Sequence, residues 1–261
     1  MKRRRIALNH DEFPGFVRPL LDGADVYDSS CSPMAQVWFL DRDDGYYLKR
    51  AAKGTLRREA ELTRFFYEKG LSARVCVYES LEWDWLLTTR VPGEDCIHPD
   101  YLADPKRLCD TTAELLRWLH QQDPSGCPVA DRTAEYLETA ERNYRAGAYD
   151  LRLFSERWAY FSPEAAWQVV KERGRELKTD TLIHGDYCLP NIMLDNWKFS
   201  GFVDLDTGGV GDRHVDLFWG AWSLQFNLKT DAYEKRFMDV YGKERVDESL
   251  FPVIAAVEVF G

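Results

Sequence analysis

"HGDYCLPN", residues 184–191, lies between two apolar runs, Leu182-Ile183 and Ile192-Met193-Leu194. An acid, Asp186, and an amide, Asn191, thus stand five residues apart in a polar window flanked by segments fit for burial. Two readings compete. The window is a loop whose polar side chains make turns and caps, or it is a site that holds a reacting group beside a metal ion. Downstream, "GFVDLD" brings in Asp204, thirteen residues beyond Asn191. If "TLIHGD" and "FSGFVDLD" form short paired strands, their ends bring Asn191 and Asp204 close to Asp186. One carboxylate and one amide oxygen suit a hard cation such as Mg²⁺ and leave positions for phosphate and water. Asp186 is then free to accept a proton.

Working outward, the chain upstream of residue 91 reads mostly as strands. "AQVWFL" (35–40) and "YYLKRA" (46–51) flank Asp43-Asp44-Gly45, a hairpin-type turn signal. "ARVCVYES" (73–80) and "DWLLTTR" (84–90) form a second pair. Between the pairs, "TLRREAELTRFFYEKG" (55–70) places Leu56, Ala60, Phe65 and Phe66 near helical spacing, with Gly70 as its stop. After Pro92-Gly93 the pattern turns helical. Leu108, Leu115, Leu116 and Leu119 share one helix face, a second helix stops at Gly147, and a third opens with Ser162 as N-cap and Pro163 at its first position. The expectation is an α+β chain of two lobes, a small β-rich one over 1–91 and a larger, mainly helical one over 92–261.

Composition narrows the function classes. Hydrophobic residues at 45% and aromatics at 14% are enough for a real core, so disorder is not expected. A net charge of -10 argues against a nucleic-acid binder, whose footprint is basic. No run approaches the roughly 18 apolar residues of a membrane helix. The start "MKRRRIALNHDEF" lacks the apolar stretch of a secretory signal. Cysteines 31, 76, 96, 109, 127 and 188 show no CxxC pairing, so neither structural zinc nor a disulfide scaffold is expected. A cytoplasmic protein with reduced thiols follows, and no obligate protein partner is evident.

A further pair decides between the two readings of the central window. Lys49 sits in the apolar strand "YYLKRA", where an ammonium is costly without a partner, and Glu59 on the next helix can supply one. A strand Lys paired with a helix Glu holds nucleotide phosphates in protein kinases. Their catalytic loop has the same Asp-x-x-x-x-Asn interval, followed by a later metal-binding Asp. Four such residues in this order are unlike chance.

The string "LIHGDYCLPNIMLDNWKFSGFVDLDTGGVGDRHVDL" resembles the core of the aminoglycoside 3'-phosphotransferases, antibiotic kinases with a bilobal protein-kinase-like fold. The resemblance extends through "LKR…RREAEL", "DWLLTTRVPGED", "LLRWLHQQDPSGCP" and the final "VEVFG". It implies Asp186 as catalytic base, Asn191 and Asp204 as Mg²⁺ ligands, and Lys49 on ATP phosphates with Glu59 orienting it. It also implies a hinge at "TTRVPG", where the backbone of Arg90 and Val91 meets adenine, and a phosphate-covering loop at "SCSPMA" (30–35) around Ser32. The choice between ATP and GTP stays open.

Departures gather on the acceptor side. Where the family closes with an Asp-Glu pair, this chain has Val257-Glu258, then Phe260 and an extra Gly261. The amine-gripping loop, "YDLRLFSERWAY", keeps only Asp150 and Glu156, and Thr207 stands where the family commonly has Arg. "DLFWGAWSLQF" (216–226) is unusually aromatic; core packing of a helix is its ordinary reading. The implied acceptor is a hydroxylated, cationic small molecule, an aminoglycoside, gripped by Asp150, Glu156, Glu258 and the carboxylate of Gly261. Alternatives are a kinase of another hydroxylated metabolite, such as an amino alcohol or sugar, and a non-catalytic nucleotide-binding module. A metallophosphoesterase would need further metal-binding His and Asp in a D-x-H pattern, which is missing.

Overall fold

Two β-hairpins and the helix between them occupy residues 35–89. The computed structural model describes residues 4–7, 12–151, 160 and 162–261. Strands β1 (Arg4–Arg5), β2 (Asp25–Asp28), β3 (Ala35–Asp41) and β4 (Tyr46–Ala52) are followed by β5 (Val75–Ser80) and β6 (Trp83–Thr89). Helix α1 (Arg18–Leu21) precedes β2, and α2 (Arg57–Glu68) joins β4 to β5. Among the described residues these strands form one antiparallel sheet in the order β1-β2-β3-β4-β6-β5. Asp43 and Gly45 take left-handed backbone conformations, φ +52° and +92°, which the β3–β4 turn requires.

One face of the sheet buries Trp38, Leu48, Trp85 and Leu87 with Phe13, and the two indoles stack at 6.1 Å. Where Leu56 and Ala60 of α2 meet Ala51 and Leu86, a second small core forms. The helix ends as expected, with Gly70 at φ +72° and its N–H on the Tyr67 carbonyl.

Strands β7 (Glu94–Asp95), β9 (Ile192–Asp195) and β10 (Lys198–Phe202) form a second sheet in the order β10-β9-β7. By contacts, the chain divides into one unit of Met1–Cys96 with Pro190–Asp206, and another of Ile97–Leu189 with Thr207–Gly261. The expected join lies between residues 91 and 92. The first unit runs on to Cys96 and takes in 190–206, because the β9–β10 hairpin pairs with β7.

The second unit is mainly helical: α3 (Pro99–Leu102), α4 (Pro105–Leu119), α5 (Arg132–Ala146), α6 (Pro163–Arg173), α7 (Arg213–Leu228), α8 (Glu234–Gly242) and α9 (Phe251–Glu258). Asp104, Asp131 and Ser162 each cap a helix by accepting a backbone N–H, and Gly147 ends α5 at φ +68°. Leu108, Leu116 and Leu119 of α4 are fully buried.

Short strands β8 (Thr181–Ile183) and β11 (Gly209–Gly211) pair antiparallel. The segments "TLIHGD" and "FSGFVDLD" therefore do not pair with each other. β8 pairs β11, and β10 pairs β9 through a tight turn at Asn196-Trp197, φ +51° and +68°. No described helix is long and apolar enough to cross a membrane.

Candidate active site

Strand β4 alternates, with Leu48 and Ala51 buried in the two small cores and Lys49 on the opposite face from Leu48. The ammonium of Lys49 meets Glu59 of α2, at 3.0 Å to Oε1 and 2.8 Å to Oε2, and Asp204 at 2.9 Å to Oδ1. The three side chains run from covered to open: Glu59 is 10% exposed, Lys49 20% and Asp204 51%. Burial alone would lower the Lys49 pKa, but the two carboxylates more than offset it, so the ammonium is held well above its ordinary value. Burial raises the Glu59 carboxyl, against the pull of Lys49. A fixed cation thus stands beside a carboxylate that faces outward.

Asn191 closes the 3-10 turn Leu189–Asn191 and is buried. Its carbonyl accepts the N–H of Val203 at 3.0 Å, which sets Asn191 across from the residue before Asp204. Asp204 itself has φ +60°, in the left-handed region. That conformation costs most residues about 1–2 kcal/mol, and Asp is one of the few side chains that visit it readily. The first unit therefore gathers Lys49, Glu59, Asn191 and Asp204.

Arg90 donates its N–H to the Gly45 carbonyl at 2.9 Å, and Val91 is buried. A Cβ on Gly201 would meet Val91 Cγ1 at 2.9 Å, so the hairpin approaches "TTRVPG" as only glycine allows. Ser32 is exposed, and its Oγ accepts the Met34 N–H at 3.1 Å.

In the second unit the Asp186 loop is tied down through its backbone. Asp216 of α7 is fully buried and accepts the His184 N–H on Oδ2 and the Gly185 N–H on Oδ1, both at 2.7 Å. His120 Nε2 lies 3.1 Å from the same carboxylate, and Nδ1 lies 2.8 Å from the Tyr241 hydroxyl. Burial keeps the His120 pKa below the ordinary imidazole value, so Nε2–H donates to Asp216 and Nδ1 accepts from Tyr241. Gly185, at φ +85°, passes so close to the Thr207 backbone that any Cβ would strike the carbonyl. The Asp186 N–H points to His184 Nδ1 at 3.3 Å, and Leu189 N–H donates to Ser223 Oγ at 2.9 Å. Asp216 was within reach of the sequence reading as the last acid of the quoted string; nothing in its spacing announced three donors on one carboxylate.

The acceptor-side residues are partly gathered as well. Asp150 N–H donates to the Val259 carbonyl at 2.8 Å, and the exposed Gly261 donates to the Glu258 carbonyl at 3.1 Å. Glu258 Oε1 accepts from the Tyr136 hydroxyl at 2.7 Å and from Trp219 Nε1 at 3.0 Å. Burial raises the Glu258 pKa, against these two donors. Glu156 lies outside the described residues. Trp219, the second donor to Glu258, was missed by sequence reasoning, because the two are 39 residues apart.

Comparisons with known proteins agree with this geometry. The phosphotransferase enzyme family, APH, matches residues 34–250. A protein of Lactococcus lactis subsp. lactis (strain IL1403), described as "Probable aminoglycoside 3'-phosphotransferase", is 46% identical over 259 residues, covering 99% of this chain and 98% of that one. The crystal structure of an aminoglycoside-3'-phosphotransferase of type VIII aligns with a TM-score of 0.73 at 24% identity, over 99% of this chain and 94% of that chain. The aminoglycoside phosphotransferase APH(3'')-Id from Streptomyces rimosus ATCC10970, solved with ADP and streptomycin, aligns with a TM-score of 0.69 at 20% identity over 85% and 90%. The last two likenesses establish the fold, α+β and protein-kinase-like. With the family match across most of its length and a full-length relative at nearly half identity, this chain belongs to the APH phosphotransferase enzyme family.

Proposed function

We propose that this phosphotransferase moves the γ-phosphoryl group of ATP to a hydroxyl of an aminoglycoside. The observation that carries the reading is the Lys49 ammonium held between Glu59 and Asp204. A cation fixed in this way can receive phosphate oxygens without reorganising, which is the basis of electrostatic catalysis of phosphoryl transfer. The full-length relative in Lactococcus lactis supports the same activity, and ADP and streptomycin in the Streptomyces rimosus enzyme support the substrate classes.

The donor set fits a magnesium ion. Asp204 offers a half-exposed carboxylate and Asn191 an amide oxygen, the hard ligands that Mg²⁺ takes. Among the described residues no group of three or more His, Cys, Asp or Glu could by itself hold a metal, so phosphate and water oxygens would complete the shell. Bound there, the ion would neutralise charge on the transferring phosphoryl group.

The chain's own residues supply the rest. Lys49 grips phosphate oxygens and Glu59 keeps it in place. Asp186, on a loop whose backbone is tied to Asp216, accepts the proton of the acceptor hydroxyl as the hydroxyl oxygen bonds the γ-phosphorus and the bond to the β,γ-bridging oxygen breaks, releasing ADP. Backbone at Arg90 and Val91 meets the adenine, and Ser32 belongs to the loop that covers the phosphates. Glu258, Asp150 and Glu156 take the acceptor's ammonium groups.

A second reading keeps the chemistry and changes the acceptor to an amino alcohol or a sugar. The half-buried indoles of Trp219, which donates to Glu258, and of Trp222 suit such an acceptor as well. An ADP-release assay against aminoglycosides, amino alcohols and sugars, run with ATP and with GTP, separates the two. We expect aminoglycosides to stimulate release and NMR to place the new phosphate on a ring hydroxyl. Stimulation by a neutral alcohol, with none by any aminoglycoside at millimolar concentration, would overturn the acceptor assignment.

A further inference from the structure

Helix α7 has two faces. Leu217, Phe218, Gly220, Ala221 and Leu224 are buried, and a Cβ on Gly220 would press into Phe237 and Tyr187. That face answers to core packing. Trp219, Trp222 and Phe226, spaced i, i+3 and i+7, lie along another stripe, where the indoles are half-buried and Phe226 is 54% exposed. Trp219 meets Trp222 edge to face at 5.3 Å, and Trp222 stacks on Phe226 at 5.0 Å with 13° between the planes. Contiguous large aromatics that are only partly covered mark binding surfaces.

Charged groups bracket the stripe. At its head, Trp219 and Tyr136 both donate to Oε1 of Glu258. Among the described residues Oε2 receives no hydrogen bond, so one carboxylate oxygen anchors the side chain and the other is left for a ligand. At its foot, the Lys229 ammonium sits 4.1 Å from the centroid of Phe226, so the stripe already carries a cation on an aromatic face. Ser223, next to Trp222, accepts the Leu189 N–H and so ties this part of the helix to the loop of Asp186. The Cys188 thiol there is half-buried, and loss of solvent pushes its pKa up.

We propose that Trp219 and Trp222 are the acceptor's shelf, on which the C–H face of an aminated sugar or cyclitol ring stacks while Glu258 Oε2 takes that ring's ammonium. The inference rests on the aminoglycoside reading above and adds which part of the acceptor is gripped. The positive C–H edge of a ring suits the negative face of an indole, and an ammonium suits both the indole and the carboxylate. Selectivity then comes from stacking one aminated ring, beside the contributions of Asp150 and Glu156 to the other ammonium groups.

The test compares wild type, Trp222→Ala and Trp222→Phe with kanamycin A, a 4,6-linked aminoglycoside. ADP release gives KM for antibiotic and for ATP, and proton NMR of the antibiotic reads ring-current shifts. Trp222→Ala should raise the antibiotic KM about tenfold, the size of one aromatic contact, and leave kcat and the ATP KM within about twofold. Trp222→Phe should restore most of the affinity, and the upfield shift of the antibiotic's ring protons should vanish only in the alanine variant. An unchanged antibiotic KM in Trp222→Ala, or ring protons unshifted by an active wild type, overturns the shelf alone. A wild type that no aminoglycoside stimulates strikes the acceptor reading instead. The same titration with glucosamine, a single aminated ring, then decides the shelf: it stands if the protons shift with wild type and not with Trp222→Ala, and falls otherwise.

Discussion

The two units of this chain fix their charged groups in different ways. In the first, Lys49, Glu59 and Asp204 hold one another, charge against charge, at 2.8–3.0 Å. In the second, Glu258 is clamped by two neutral donors, a phenol and an indole, and the Asp186 loop is anchored through backbone N–H groups on Asp216. The first arrangement presents a fixed cation, which a nucleotide's phosphates need whatever the acceptor. The second presents a carboxylate embedded in aromatic surface, which suits a partly apolar, partly cationic ring. One unit fixes charge with charge, and the other fixes a carboxylate with neutral aromatic donors.

Removing a charge from the first unit should have the largest effect. Asp204→Ala should abolish magnesium-dependent turnover, measured as ADP release across a magnesium titration. It should also leave Lys49 with Glu59 alone. If the rate and the magnesium dependence are unchanged, the metal is held elsewhere and the contrast between the units dissolves.

Next in size is the brace behind the Asp186 loop. Asp216 is a buried acceptor for two N–H groups and an imidazole, and losing its charge leaves donors imperfectly satisfied. Asp216→Asn should cost about 3 kcal/mol of stability, which lowers Tm by roughly 6–12 °C for a protein of this size. Turnover should fall as well, because the loop that carries Asp186 loosens. A variant that melts with wild type would show that the carboxylate is not the anchor.

How much of this was legible in the sequence follows the same division. Lys49, Glu59, Asn191 and Asp204 could be picked out because an ammonium in an apolar strand demands a partner, and a carboxylate and amide suit a hard cation. The structure places all four in the first unit and joins Lys49 to Glu59 and Asp204. The pairing of strands was misread, because Trp197 at φ +68° gives no hint of a hairpin turn that usually takes Asn-Gly or Asp-Gly. The aromatic helix was read as core, which is right for one face only: helical spacing separates faces, but it does not say which one meets water. The Trp219–Glu258 bond joins distant segments and left no local signal.

A smaller effect sharpens the acceptor side. Glu258→Gln keeps an oxygen for Tyr136 and Trp219 but loses the charge. The antibiotic KM should rise about tenfold or more, the value of a charge-assisted hydrogen bond, with the ATP KM within about twofold. Burial lifts the Glu258 carboxyl above its ordinary pKa. The carboxylate form is therefore lost as pH falls while still above the usual Glu range. In wild type the antibiotic KM should climb as pH drops from neutral toward 5, and in Glu258→Gln that climb should disappear. A pH profile shared by both proteins would assign the titration to another group.

Phosphoryl transfer with Asp186 as the proton acceptor is the centre of the account, and Asp186→Asn tests it most directly. Nucleotide binding and γ-phosphoryl transfer to an aminoglycoside are measured on the same samples, by calorimetry and by phosphorus NMR of the product. The expected result is ATP affinity within about threefold of wild type and a transfer rate lower by about 10²–10⁴-fold, the span of a positioned general base. Transfer at the wild-type rate, with ATP bound as tightly as before, would contradict the account.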